Sequence, residues 1–355
     1  MHIRRREVLK AIGGIAATAF AGQNVASAQG AKRRFEGETL RVLVTSGSEG
    51  QAMRTHIVTP FMEETGAQVL VTEGLTQPTM TKLRAERANP SVSVCALDDY
   101  GIIALGREGL LEEIEPSRLT NLPDINPKFV IEKKGVAFFV AATGIIYNNK
   151  LVTEPPKSWK IFWDPKYKGK IAVPPPNVSP ALSFAIIAAT AHGGSQFKID
   201  PAWDALRALK PNVGVMEQNV AVLAEMLRTG EIALCARLTH LFKPFIEKGY
   251  PIGVSLNVSE GVVATATGFT VVKNHPDKRE VADAFIDYAL GVKAQRAMAE
   301  GMWFGPTNRK VQLPADLEAN LISKDSQVAS LISVDAENLA TNRDNWAQNY
   351  SRIML

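Results

Sequence analysis

Residues 135–147 read Gly135-Val136-Ala137-Phe138-Phe139-Val140-Ala141-Ala142-Thr143-Gly144-Ile145-Ile146-Tyr147, an uncharged run rich in β-branched and aromatic residues. That composition reads as extended chain: Val136–Thr143, continued through Gly144 into Ile145-Ile146-Tyr147. A second stretch of the same kind, Val262–Val272, stands later in the chain. Strands and helices alternate both before the first run and between the two. The two runs therefore read as crossovers between two α/β lobes, which makes the first lobe discontinuous in sequence.

Working outward toward the N-terminus, Leu40–Thr45 is a compact strand that stops at Ser46-Gly47-Ser48. A helical stripe of Met53, Ile57, Phe61 and Met62 follows and stops at Gly66. Ala67–Thr72 reads as a strand, Thr76–Ala88 as a helix, Ser91–Leu97 as a strand and Tyr100–Glu108 as a helix. Such alternation builds parallel strands with right-handed crossovers. In the other direction come the strand Lys170–Val173, helices over Ala181–Ala191, Pro201–Ala208 and Ala221–Thr229, and the strand Ile232–Ala236. Beyond the second run, Val281, Phe285, Ile286 and Ala289 form another helical stripe. The expected division is a first lobe of residues 39–140 and about 264–312 and a second lobe of residues 141–263. Residues 313–355 are expected to supply C-terminal helices that pack on the lobes.

The N-terminus carries an address. Arg4, Arg5, Arg6 and Lys10 precede the apolar run Ala11–Ala21 and the small residues Ala26-Ser27-Ala28. This is the layout of a cleavable export signal, residues 1–28, cut after Ala28 and followed by a linker over residues 29–38. Arg5-Arg6-Glu7-Val8-Leu9-Lys10 resembles the twin-arginine consensus, with general secretion the competing route. The segment holds four basic residues and one acidic one, so the formal net charge of +4 falls to about +1 after cleavage. That balance gives no case for nucleic acid. No later stretch is long and apolar enough to span a bilayer, so the exported protein is expected to be free of the membrane. Cys95 and Cys235 sit in strand-like segments far apart in the chain, and they read as small buried thiols.

The mature chain also carries a set of motifs in fixed order. They are Thr59-Pro60-Phe61-Met62-Glu63-Glu64-Thr65-Gly66, Gly144-Ile145-Ile146-Tyr147-Asn148, and Ser158-Trp159 leading into Phe162-Trp163-Asp164-Pro165-Lys166-Tyr167-Lys168-Gly169-Lys170. Gly305-Pro306-Thr307-Asn308 and Glu337-Asn338 through Arg343-Asp344-Asn345-Trp346 complete it. In order, spacing and extent this resembles the periplasmic solute-binding proteins of ABC importers, in particular the branch with the spermidine/putrescine-binding proteins. The resemblance implies an α/β, type II-like, two-lobe periplasmic-binding-protein fold with two hinge crossover strands. It implies a periplasmic monomer that captures a small polar solute between the lobes and delivers it to a membrane permease, without cofactor or catalysis. Trp159, Trp163, Tyr167 and Gly169 read as scaffold.

The resemblance fails where the branch places its polyamine-binding groups. Pro174-Pro175-Pro176-Asn177-Val178-Ser179 stands in place of carboxylates, Ser46-Gly47-Ser48 in place of aromatic residues, Arg237 in place of an aromatic-and-amide pair, and Thr265 and Thr267 in place of Trp and Asp. Arg237, just after a buried strand, is a candidate to grip a carboxylate or phosphonate, against the competing reading of a surface ion pair. Ser46, Gly47 and Ser48 precede a helix, where amides favour an anion, although plain N-capping is the alternative. Asn177 and Ser179 add neutral hydrogen bonds. Asp98, Asp99 and Tyr100 end a strand, so one acid can hold an ammonium group while the other caps a helix. Thr265, Thr267 and Phe304 complete the candidate set, with Phe304 or its neighbour Trp303 as an aromatic wall. Together they suit an amino-acid-like zwitterion, with a polyamine as the alternative ligand.

Two rivals are weaker. Iron binders of this broad type use adjacent tyrosines and zinc needs closely spaced histidines, and neither pattern is present. An exported enzyme would need a constellation that the sequence does not display: there is no Gly-x-Ser-x-Gly, no phosphate loop and no His-Glu-x-x-His.

Overall fold

The computed structural model describes residues 33–355 apart from Asn177, and its longest strand is the stretch quoted above. The export signal and residues 29–32 lie outside the described residues. Residues 33–38, expected as linker, are instead docked. Phe35 is buried against Phe61 with ring centroids 6.4 Å apart, and its amide donates to the Thr65 carbonyl at 2.8 Å. An aromatic side chain in a basic stretch has more to gain from burial than from solvent.

The first sheet begins with β1 (Thr39–Val44), which leads into α1 (Ser48–Met53), a π-helical turn (Arg54–Val58) and α2 (Thr59–Thr65). Gly66, at φ +80, ends α2 in a left-handed cap, the role its sequence position predicts. Next come β2 (Gln68–Glu73), α3 (Thr76–Ala85), β3 (Val94–Asp98) and α4 (Asp99–Arg107). β4 (Val130–Ile131) precedes β5 (Gly135–Asn148), buried along its whole length. The second half adds β6 (Ile171–Val173), α5 (Ser179–Ala191), α6 (Asp200–Leu209), β7 (Val213–Met216), α7 (Val220–Thr229), β8 (Leu234–Leu238), α8 (Lys243–Glu247) and β9 (Ile252–Ser255). β10 (Ala264–Val271), α9 (Arg279–Leu290), α10 (Val292–Met302) and β11 (Gly305–Pro306) return to the first half. α11 (Ala315–Glu318), α12 (Asp325–Ala329) and α13 (Ala336–Met354) finish the chain.

The strand order β2-β1-β3-β10-β5-β8-β6-β7 runs through both halves. β1, β2 and β3 are parallel, β10 is antiparallel to β3 and β5, and β6 is parallel to β7 and β8. β5 serves both sheets. Its residues 136–142 pair with β10, whereas 143–147 pair with β8 and 145–148 with β9. The two extended runs thus lie side by side where the sheets meet, with the Thr143 amide donating to the Val263 carbonyl at 2.8 Å. A third segment joins them there, because the Ile332 amide donates to the Val262 carbonyl at 2.9 Å. This is the two-lobe α/β fold that the alternation predicts.

Each half buries its own apolar stripe. Phe61 and Phe285 meet edge to face at 5.2 Å under the first sheet, placing the α9 stripe where its spacing predicts. Trp159 is fully buried and donates to the Gly261 carbonyl at 2.8 Å, and Trp163 donates to Ala205 at 2.7 Å, so both are scaffold. Cys95 and Cys235 are free and buried, and burial pushes each thiol up to about 12.

Candidate functional site

Parallel strands deliver their C-terminal ends to one edge of a sheet, and the loops leaving those ends gather there. In the first half, β1 exits through Thr45-Ser46-Gly47 into α1. Gly47 sits at φ +77 and ψ −147, a conformation open to glycine almost alone, and no side chain caps the helix. The turn is so tight that a Cβ on Gly50 would stand 1.9 Å from the Thr45 carbonyl oxygen. This turn carries Glu49 toward Asp98. Burial, reinforced by the Asp98 charge, pushes the Glu49 carboxyl up to about 7.

Asp98 ends β3 with its side chain held from two sides. Thr76 of α3 donates to Oδ2 at 3.0 Å and Thr267 of β10 donates to Oδ1 at 3.2 Å. Burial still raises its pKa above the ordinary carboxylate value. Asp99 follows, and its Oδ1 accepts the Tyr100 amide at 2.8 Å. Burial, together with the neighbouring Asp98 charge, pushes Asp99 up to about 6 against that hydrogen bond. Three carboxyl groups thus share one end of the first sheet, and no lysine or arginine forms an ion pair with any of them among the described residues.

The second half presents the opposite charge. Arg237 is about 95% buried, its Nη2 donating to the Glu217 carbonyl at 2.5 Å. The Glu217 carboxylate itself accepts the Gln218 and Asn219 amides, each at 2.7 Å. Burial lowers the Arg237 pKa from its ordinary value, and among the described residues no carboxylate forms an ion pair with the guanidinium. Tyr350 of α13, its hydroxyl donating to the Pro174 carbonyl at 2.8 Å, stands near Arg237 and brings the C-terminal helix into this wall. Where β8 ends, His240 crosses toward the first half. Its Nε2 lies 3.6 Å from Glu49 Oε1, and its ring packs 4.8 Å from Phe304.

The predicted residues divide accordingly. Asp98, Asp99 and Tyr100 are half-buried at one strand end, as their sequence position implies. Neither acid caps α4 in the expected way: Asp98 occupies the cap position but its carboxylate accepts no amide of the helix's first turn, and Asp99 accepts the amide of the next residue. Ser46 is half-buried and Gly47 and Ser48 are exposed, and neither serine acts as an N-cap. Thr265 is half-buried opposite Ala141, whereas Thr267 is buried and supports Asp98. Arg237 needs a correction of position. β8 runs Leu234–Leu238, so the arginine lies within the strand, because the apolar run that suggested its end continues through Leu238. Phe304 needs a correction of role. It is fully buried and stacked on Phe139 at 4.0 Å, and Trp303 caps α10 beside it, so neither forms an exposed wall. Asn177 lies outside the described residues, and Ser179 is the first residue of α5.

Sequence reasoning missed Glu49, His240, Thr76 and Tyr350. An acid in the first turn of a helix has an ordinary reading as a partner of the helix dipole, which conceals Glu49. His240 has no metal-ligand spacing, and the other two gain meaning only from elements that are distant in sequence. A cavity of about 780 Å³ lies elsewhere. It opens between Phe35, Phe61, Arg118 and Tyr288, at the end of the first half where α2 finishes at Thr65.

Comparison with known proteins adds the family. The profile of the bacterial extracellular solute-binding proteins matches residues 56–325. Spermidine/putrescine-binding periplasmic protein 1 of Haemophilus influenzae is 28% identical over 166 residues, which are 43% of this chain and 45% of that protein. The match therefore spans less than half of that relative. A periplasmic protein of Salmonella typhimurium named for 2-aminoethylphosphonate binding is 24% identical over 269 residues, 72% of this chain and 74% of that one. Among solved structures, an ABC transporter protein from Clostridium perfringens superposes with a TM-score of 0.75 at 24% identity, covering 88% of this chain and 99% of the other.

Proposed function

This chain belongs to the bacterial extracellular solute-binding protein family, and from that premise we propose that it captures a zwitterion with an ammonium group at one end and a carboxylate or phosphonate at the other. Two of its relatives are named as periplasmic binding proteins, and in this reading the chain is the solute-binding component of an ABC importer. One observation carries the choice of ligand: among the described residues each half buries ionisable groups that form no ion pair of opposite sign. No lysine or arginine pairs with Glu49, Asp98 or Asp99, and no carboxylate pairs with Arg237. Buried charge is costly unless it is paired, so a solute that offers both signs would repay both halves when they close on it.

In this reading residues 39–140 and about 264–312 form the acidic lobe, 141–263 form the arginine lobe, and 313–355 pack across them. Ser46, Gly47, Ser48 and Thr265 line the acidic side, with Asn177 and Ser179 on the arginine side. Arg237 receives the anion, while Asp98 and Asp99 receive the ammonium with Glu49. The protein works outside the cytoplasmic membrane after cleavage behind Ala28, and it hands its solute to a permease without chemical change. A polyamine is the second reading, favoured by the three carboxyl groups and by the Haemophilus relative's name.

Isothermal titration calorimetry separates the two. 2-Aminoethylphosphonate or a short amino carboxylate is expected to bind at least roughly a hundredfold more tightly than ethylphosphonate or putrescine, since each of these leaves one buried charge unpaired. Tight putrescine binding with no heat from any zwitterion overturns the proposal.

A further inference from the structure

His240 is a buried histidine that the ligand reading leaves without a task. Its relative exposure is 3%, and among the described residues its Nδ1 has no hydrogen-bond partner. It lies against Phe304, itself stacked on Phe139, so the ring is supported from one side by an aromatic floor. Its other nitrogen faces the Glu49 carboxyl across the line between the two halves. Burial drives its pKa down to about 4, which keeps the ring neutral at ordinary pH.

A neutral imidazole carries one proton, and its place here follows from the surroundings. Protonation at Nδ1 would bury an N–H group with nothing to accept it, which costs more than leaving a nitrogen lone pair unmatched. The proton therefore belongs on Nε2, directed at Glu49 Oε1. The separation of 3.6 Å exceeds a hydrogen bond, and a shift of roughly half an ångström would close it. Glu49 belongs to α1 of the first half and His240 follows β8 of the second, so a small movement of one half against the other is enough.

We infer that His240 is a positioning residue, whose Nε2–H engages Glu49 as the halves close and turns that carboxylate toward the cation of the captured solute. The inference deepens the zwitterion reading and rests on it for the identity of the cation. Glu49 also faces Asp98, and Asp98 is in turn held by Thr76 and Thr267, so His240 is the only second-half group seen to approach this cluster among the described residues.

The test has one arm that needs no ligand. Long-range ¹H–¹⁵N correlation of the full-length exported protein at pH 7 should show the His240 imidazole protonated at Nε2, with that signal shifting in Glu49→Gln. The Nδ1-protonated form, or a signal indifferent to Glu49→Gln, overturns the inference whatever the solute proves to be. The second arm is calorimetry with 2-aminoethylphosphonate as the probe. His240→Phe keeps the ring contact with Phe304 and should weaken binding roughly ten- to a hundredfold, while His240→Gln, which offers an amide donor at similar reach, should recover most of the loss. Equal losses in both variants overturn the positioning role in favour of packing. No heat from the probe with the unaltered protein instead overturns the zwitterion reading, and the tautomer arm still decides the role of His240.

Discussion

The two halves meet on one shared strand, yet they handle charge in different ways. The first half gathers Glu49, Asp98 and Asp99, carboxyls pushed toward neutrality by burial and, for Glu49 and Asp99, also by the Asp98 charge. A proton can relieve that strain. The second half holds a guanidinium that cannot shed its charge and, among the described residues, hydrogen-bonds a backbone carbonyl and no carboxylate. In the proposed reading, the difference means that one wall can wait empty with a proton in place of its cation, whereas the other depends on the solute for a counter-ion.

Removing the arginine should break the comparison most severely. Arg237→Ala is expected to weaken binding of an anion-bearing solute by roughly a thousandfold or more, because a buried ligand anion would then lie unpaired. Calorimetry and the loss of ligand-dependent thermal shift check it. Retention of the shift would place the anion elsewhere.

The acidic wall should respond to pH. With the carboxyl groups at about 7 for Glu49 and about 6 for Asp99, an arriving ammonium must displace protons below those values. Affinity should therefore rise with pH between about 5 and 7.5, by at most roughly tenfold per unit for each linked group, with protons released on binding. Glu49→Gln should remove the upper part of that rise. The ligand-free fold should respond in the opposite sense. A carboxyl whose pKa is raised from 4.5 to about 7 on folding contributes stability that is full below 4.5 and lost as pH climbs through 7. Ligand-free melting temperatures that show no such loss between pH 5 and 7.5 would remove the basis for the proton-filled wall.

The smallest effect on binding is expected at Phe304. Since it is fully buried against Phe139 and His240, Phe304→Leu should lower stability by about 1–2 kcal/mol and leave affinity within roughly threefold. Chemical denaturation and calorimetry read the two separately. A large affinity loss at unchanged stability would restore Phe304 as a wall residue.

Much of this was legible in the chain itself. The uncharged run at 135–147, the alternation around it and the stripes of α2 and α9 follow from local periodicity, since one face of each helix must find a core. The acids at 98 and 99 were legible because a strand that ends on a charge has little choice but to place it at the sheet's edge. The structural roles of Thr267 and Phe304 stayed hidden because they depend on neighbours far away in sequence: Asp98 for one, Phe139 and His240 for the other.

By itself, then, the sequence determined the two α/β halves, the strand that joins them and the ends where charge collects, because hydrophobic period and turn chemistry are local properties. Only the tertiary structure decided which charges go unpaired. That depends on which strand ends converge, and it is how Glu49, which reads as an ordinary first-turn acid, comes to lie between Asp98 and His240. Burial and the sum of nearby charges are properties of three-dimensional neighbourhoods, so no pattern along the chain encodes them one residue at a time.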